Sequence, residues 1–173
     1  MKIYFFVILL FLTFTGNAQA NQEHKRFAVG IHLVNRQIKG YHFNYTYPRL
    51  SFEYRLSASS SVEVLAEYIN HKPAGTQVIS YPLSMGYKLN ILPWLINNKK
   101  LIDRLKIYQS LRYTILFSPA NSDAPLSGLR IYHHLRYAPG VDFYFNKNWG
   151  INYEVVFGQN MRTTMAFGVK YRL

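Results

Sequence analysis

From Phe27 to the last residue, apolar and polar positions alternate with a period of two, the period of a β-strand whose faces meet different surroundings. Leu50, Phe52, Tyr54 and Leu56 interleave with Ser51, Glu53, Arg55 and Ser57. Met165, Phe167, Val169, Tyr171 and Leu173 interleave with Ala166, Gly168, Lys170 and Arg172. Eight such segments are expected: Phe27 to Val34, Leu50 to Leu56, Val62 to Ile69, Val78 to Leu89, Leu105 to Phe117, Leu129 to Phe145, Ile151 to Gln159 and Thr163 to Leu173. Turn-forming stretches separate them at Ser57 to Ser61, Pro73-Ala74-Gly75, Ala120 to Gly128 and Asn146-Lys147-Asn148. The pattern holds no helical domain and no longer-period repeat.

Alternation alone does not say which face meets what, and bulk decides it. One face carries rings, among them Phe52, Tyr54, Tyr81, Tyr87, Tyr113, Phe143, Phe145, Phe157 and Phe167. The other is small: Ala28, Gly30, Ser51, Ser84, Gly86, Ser110, Ala138, Gly140, Gly158 and Gly168. An eight-stranded barrel has an interior just wide enough for side chains to fill, so the rings must look outward, into hydrocarbon. Closure then pairs every backbone group where no water can. The expected fold class is therefore all-β, an eight-stranded antiparallel up-and-down transmembrane β-barrel. The alternative, a soluble periplasmic lipid-binding barrel with its apolar face inward, leaves the rings no room.

Composition narrows the picture. The chain has 173 residues, 49% of them hydrophobic, yet a mean hydropathy of only -0.09, which argues against a helical membrane protein. Aromatics at 17% and charged residues at 16% exclude a disordered chain. The absence of Cys excludes disulfide scaffolds, thiolate metal sites and a Cys-anchored lipoprotein. At the start, Lys2, the apolar run Ile3 to Phe14 and Ala18-Gln19-Ala20 read as a secretory signal peptide. The run is shorter than the roughly 20 residues of a spanning helix. The expected division is 1–20 signal peptide and 21–173 barrel domain.

The charges fall on the small-residue face in near balance. Glu53, Glu63, Glu67, Asp142 and Glu154 share it with Arg55, Lys88, Arg112, Arg136, Lys170 and Arg172. Because unpaired buried charge is costly, these are expected to interleave as an ion-pair network filling the lumen.

Taken together, the Ala18-Gln19-Ala20 ending, the eight alternating segments and a last strand Phe167-Gly168-Val169-Lys170-Tyr171-Arg172-Leu173 resemble a small outer-membrane barrel of the OmpA/OmpX type. Pro82-Leu83 and Pro139-Gly140-Val141, prolines inside strands, look like the same group. The resemblance implies residence in the cell outer membrane. It also implies presentation of Phe167, Val169, Tyr171 and Leu173 to the outer-membrane assembly machinery, with Leu173 standing where such proteins favour Phe. With both ends in the periplasm, loops near Asn35 to Arg49, His71 to Gln77, Ala120 to Gly128 and Asn160 face outside. Arg36, Lys39, Arg49, Lys72, Arg130 and Arg162 are then expected to pair with the phosphates of lipopolysaccharide. The competing reading of these six is a scattered, solvated surface. The loop Tyr41 to Tyr47 is expected to rise above the membrane, its phase broken at Pro48. On the periplasmic side, Asn90 to Arg104 reads either as a short interfacial helix with Leu92, Leu95 and Ile96 on one face, or as an elongated hairpin.

Chemistry was weighed against the small barrels that remodel lipid A. His133 and His134 adjoin a loop with Asp123 and Ser127, but neighbouring strand residues point to opposite faces, so at most one His can join a given site. His133-His134-Leu135 does not match the His-x-Ser of lipid A deacylase barrels. Outer-membrane proteases of the omptin type need several rim acids, and only Asp123 and Glu67 offer themselves. His42, His71 and His133 lack a metal-ligand spacing, and no phosphate-cradling loop occurs. The expectation is a non-enzymatic monomer without cofactor or metal, serving a structural or adhesive role or acting as a subunit of an envelope complex. A lipid A modifying enzyme is the alternative. The net charge of +12 invites a nucleic-acid reading, but an exported chain whose rings are committed to lipid leaves no such partner.

Overall fold

The computed structural model describes residues 26–37, 44–71, 78–119, 129–158 and 163–173. Their strands are β1 (Phe27–Gln37), β2 (Asn44–Arg55), β3 (Ser60–Glu67, continued after Tyr68 by Ile69–His71), β4 (Val78–Asn90), β5 (Leu105–Pro119), β6 (Leu129–Tyr144), β7 (Trp149–Gly158) and β8 (Thr163–Arg172). Each pairs antiparallel with the next. The sheet closes because β1 also pairs with β8, from Ala28 opposite Arg172 to Arg36 opposite Thr164. Leu173 N donates to Phe27 O at 2.9 Å and extends that seam. The result is a closed, eight-stranded, up-and-down barrel.

Strand faces divide as the side chains dictate. Outside stand Ile31, Leu33, Leu50, Met85 and Phe167, between 53% and 65% exposed. Inside, Arg112 and Lys170 are 1% and 2% exposed. A sheath this apolar around a charged interior is stable only in hydrocarbon. Rings gather where the sheath meets the interfaces. Phe27 packs on Tyr54 with ring centroids 4.9 Å apart and Trp149 on Tyr171 at 4.8 Å near the chain ends, while Tyr68 meets Tyr81 at 5.6 Å at the opposite rim.

The first loop departs from expectation. β2 begins at Asn44 and runs unbroken through Pro48, which sits opposite Leu33. Pro48 has no N–H to give, yet its carbonyl accepts from Tyr68 N at 3.3 Å. The missing donor faces β3 where that strand is interrupted, between Glu67 and Ile69. Pro82 of β4 flanks the same interruption from the other side, since the β3–β4 ladder stops at Ala66 opposite Leu83 and resumes at Ile69 opposite Ser80. Pro139 likewise falls in a gap of the β6–β7 ladder, between Tyr137 opposite Phe157 and Gly140 opposite Glu154. Each proline thus occupies a place where a ladder bond is already absent.

The turns at the end of the barrel where β1 begins and β8 finishes are compact except one. Asn146 Oδ1 accepts from Asn148 N at 2.8 Å and Trp149 N at 2.7 Å, tying the β6–β7 turn. Between β4 and β5 lie two short helices, α1 (Leu92–Leu95) and α2 (Lys99–Arg104). Asn98 caps α2 by accepting from Leu101 N at 3.2 Å. The helical reading of Asn90 to Arg104 therefore holds over the hairpin, but the expected shared face does not: Leu92 is buried and Leu95 is 69% exposed. α2 folds across the barrel mouth, where Asp103 O accepts from Arg172 Nη1 of β8 at 2.9 Å.

Candidate functional site: the filled lumen and its rims

Inward-facing alternate residues from all the strands but one bring eleven charged side chains into one connected chain. β1 contributes none and supplies His32 instead. At the end where β1 begins and β8 finishes, Glu53 of β2 receives Lys106 at 3.2 Å, Lys88 at 3.3 Å and Lys170 at 2.5 Å. Lys170 also meets Asp142 at 2.9 Å, and Lys88 meets Glu63 at 3.3 Å. Arg112 then links Glu63, from Nε at 2.5 Å, to Glu154, which it clamps through both terminal nitrogens, Nη1 at 2.7 Å and Nη2 on the second oxygen. Arg49 bridges Glu154 to Glu67, its Nε 2.8 Å from the latter, and Arg136 closes the series on Glu67 at 3.3 Å. Bidentate guanidinium pairs of this kind are the strong class of charge-assisted hydrogen bonds.

Neutral groups satisfy what the cations leave. Ser61 donates to Glu53 at 2.9 Å, Ser110 to Glu63 at 2.6 Å and Tyr108 to Glu154 at 3.1 Å. Asn152 donates to Asp142 at 2.6 Å and to the Tyr108 hydroxyl at 2.7 Å. Lys88 Nζ also lies 3.8 Å from the centroid of the Tyr108 ring. At the Glu53 end there remains a void of about 10 Å³ beside Glu53, Lys88, Asn90, Lys106 and Tyr108, room for a single water. Toward the opposite end the lumen holds an apolar cluster, or plug, of Val34, Tyr47, Ile69 and Ala166, each at most 3% exposed. Every carboxylate of the series is committed to at least one cation, so none stands ready as a general base.

Comparison with solved structures gives the architecture its place. OprG of Pseudomonas aeruginosa, an outer-membrane protein, is similar over 88% of this chain and 98% of its own, with a TM-score of 0.60 at 13% identity. Neisserial surface protein A aligns over 85% and 96% with a TM-score of 0.57 at 12% identity. Ail of Yersinia pestis, solved with the heparin analogue sucrose octasulfate, aligns over 85% and 96% with a TM-score of 0.53 at 16% identity. The fold is that of a small outer-membrane β-barrel. No family model matches the sequence, and no curated protein matches it; at these identities the likeness is one of fold.

Within this barrel the expected network residues are placed as follows. Glu53, Glu63, Glu67, Lys88, Arg112, Arg136, Asp142, Glu154 and Lys170 lie in the series above. Arg55 and Arg172 stand instead at the barrel mouth beside α2: Arg55 Nε donates to Ser57 O at 3.0 Å, and Arg172 lies 3.2 Å over the Tyr144 ring. Two buried lumen residues, Lys106 of the series and His32 beside it, went unrecognised. Lys106 shares the inward phase of Ser110 and Arg112, and His32, 4% exposed and 2.8 Å from Ser51 Oγ, shares that of Ala28 and Gly30.

Arg49 is the clear correction. It was expected at the outer rim, and it is inside, 2% exposed, between Glu67 and Glu154. The reason is the continuity of β2 through Pro48, which puts Arg49 in mid-strand on the inward phase. Glu67, considered as a rim acid, is likewise sealed in the lumen. Of the other five rim cations, Arg130 is exposed on the part of β6 that rises above Gly158 of β7. Arg36 is half-buried at the mouth, its Nε without a hydrogen-bond partner. Lys39, Lys72 and Arg162 lie outside the described residues, as do His42, Asp123, Ser127 and the side chain of His71. His133 points outward, its Nδ1 2.6 Å from the Tyr113 hydroxyl, and the described residues hold no cluster of three metal-ligating groups. Phe167, Val169 and Tyr171 lie on the outward phase of β8, and Leu173, exposed, follows its end.

Proposed function

We propose that this chain is exported by a signal peptide cleaved after Ala20 and resides in the outer membrane as a closed, non-enzymatic barrel. Its work lies at its surfaces rather than through its interior. The observation that carries this reading is the filled lumen: five carboxylates and six cations interlock from Lys106 to Arg136, with an apolar plug beyond. A wide solute channel needs about 16 strands.

The surface that remains is basic. In this reading Arg36 and Arg130, together with Lys39, Lys72 and Arg162 outside the described residues, grip the phosphates of lipopolysaccharide, giving the protein a structural or adhesive role. Ail, with the same fold, takes a polysulfated sugar, which favours polyanion recognition on a rim of this kind. The outward residues Phe167, Val169, Tyr171 and Leu173 of the last strand serve as its signal to the assembly machinery.

The test is binding of purified lipopolysaccharide to protein refolded in phosphatidylcholine bilayers. Changing Lys39, Lys72, Arg130 and Arg162 together to Gln is expected to weaken binding by up to about a thousandfold, at roughly 1 kcal/mol for each cation beside an anionic surface. Undiminished affinity overturns the lipopolysaccharide reading. A change in lipid A mass that disappears in His133→Ala overturns the non-enzymatic one.

A further inference from the structure

At the opposite end, α2 and the β6–β7 turn enclose an open vestibule of about 940 Å³ under the barrel mouth. Five of its lining residues are cations, Arg55, Lys100, Arg104, Lys147 and Arg172, against the single acid Asp103. Lys100, Arg104 and Lys147 are exposed. The remaining wall is partly apolar: Leu101 of α2 and Phe145, which is 53% exposed. Phe145 continues the outward phase of Val141 and Phe143, so this wall of the vestibule stands at the level where the apolar sheath meets the periplasmic interface. The vestibule therefore opens both toward the lumen mouth and toward lipid.

We propose that this vestibule binds a phospholipid of the periplasmic leaflet through its anionic headgroup. The phosphate sits among Lys100, Arg104 and Lys147, the acyl chains run out along Phe145 and Leu101, and the Asp103–Arg172 contact holds α2 in place as one side of the cradle. Charge complementarity selects an anionic over a zwitterionic headgroup. The apolar wall selects a lipid over a free phosphate. Trp94 and Leu95 on α1, 55% and 69% exposed beside the ends of β4 and β5, suit the same interface.

The experiment is native mass spectrometry of the full mature protein released from phosphatidylcholine bilayers doped with phosphatidylglycerol. One phosphatidylglycerol is expected to stay bound in preference to phosphatidylcholine. Lys100→Gln, Arg104→Gln and Lys147→Gln together should reduce its retention by about a hundredfold, at about fivefold for each cation, while heat-modifiable gel migration shows that the barrel still forms. Retention that survives the triple substitution, or no preference over phosphatidylcholine in the unaltered protein, overturns the proposal. Displacement of the lipid by millimolar inorganic phosphate overturns the commitment to a lipid. Because the outer-rim cations are untouched, these results are independent of lipopolysaccharide binding.

Discussion

The middle of the lumen and its end away from α2 are built on the same strands but filled by different chemistry. In the middle, Glu63, Arg112, Glu154 and Arg49 are held by charge-assisted hydrogen bonds, and each group compensates two others. At the end, Val34, Tyr47, Ile69 and Ala166 are held by shape and apolar burial. The first arrangement is intolerant of single losses, because removing one partner strands the rest as uncompensated buried charge. The second gives up energy in proportion to the atoms removed. The barrel thus gets a rigid, specific middle from its charges and a graded seal from its apolar plug.

The sharpest break in this comparison is Arg112→Leu, which should cost about 3–5 kcal/mol in urea unfolding from bilayers by leaving Glu63 and Glu154 undercompensated. Arg112→Met combined with Glu154→Met should recover most of that loss, since Glu63 keeps Lys88 and Arg49 keeps Glu67. A double variant whose loss equals the sum of the Arg112→Met and Glu154→Met losses would mean that the charges act independently. Next, Phe167→Arg on the outward face should cost about 2–4 kcal/mol if it lies near the bilayer midplane. In the plug, Ile69→Ala should cost about 2 kcal/mol, with no partner substitution able to restore it. Smallest is Gly168→Ala, at about 1–2 kcal/mol in the same assay: a Cβ there would press on the His32 ring and lie 2.5 Å from Ile31 O. His32→Ala should relieve part of it.

How much of this was legible depends on what a period of two can say. It assigns faces, so Glu53, Glu63, Lys88, Arg112, Asp142, Glu154 and Lys170 could be read as inward before any strand was paired. It does not say which of them meet, because partners such as Lys170 and Glu53 are brought together across the lumen by barrel closure and stagger. It also fails where a breaker residue suggests a false boundary. Pro48 made Arg49 look like a loop residue, when the strand merely places its proline beside a break in β3. At strand ends the phase loses authority: Arg55 and Arg172 keep the inward parity yet serve the mouth, where α2 determines their surroundings.

The central claim is that the ring-bearing face of these strands meets acyl chains while the charged face is closed off from water. The chain has no cysteine, so single spin labels can be placed at Leu33, Phe167 and Val169 without background, in protein refolded into lipid bilayers. Collision rates with oxygen, which partitions into hydrocarbon, should far exceed those with a water-soluble nickel chelate at all three sites. Labels relaxed mainly by the chelate would mean that this face is in water, and the account would be wrong.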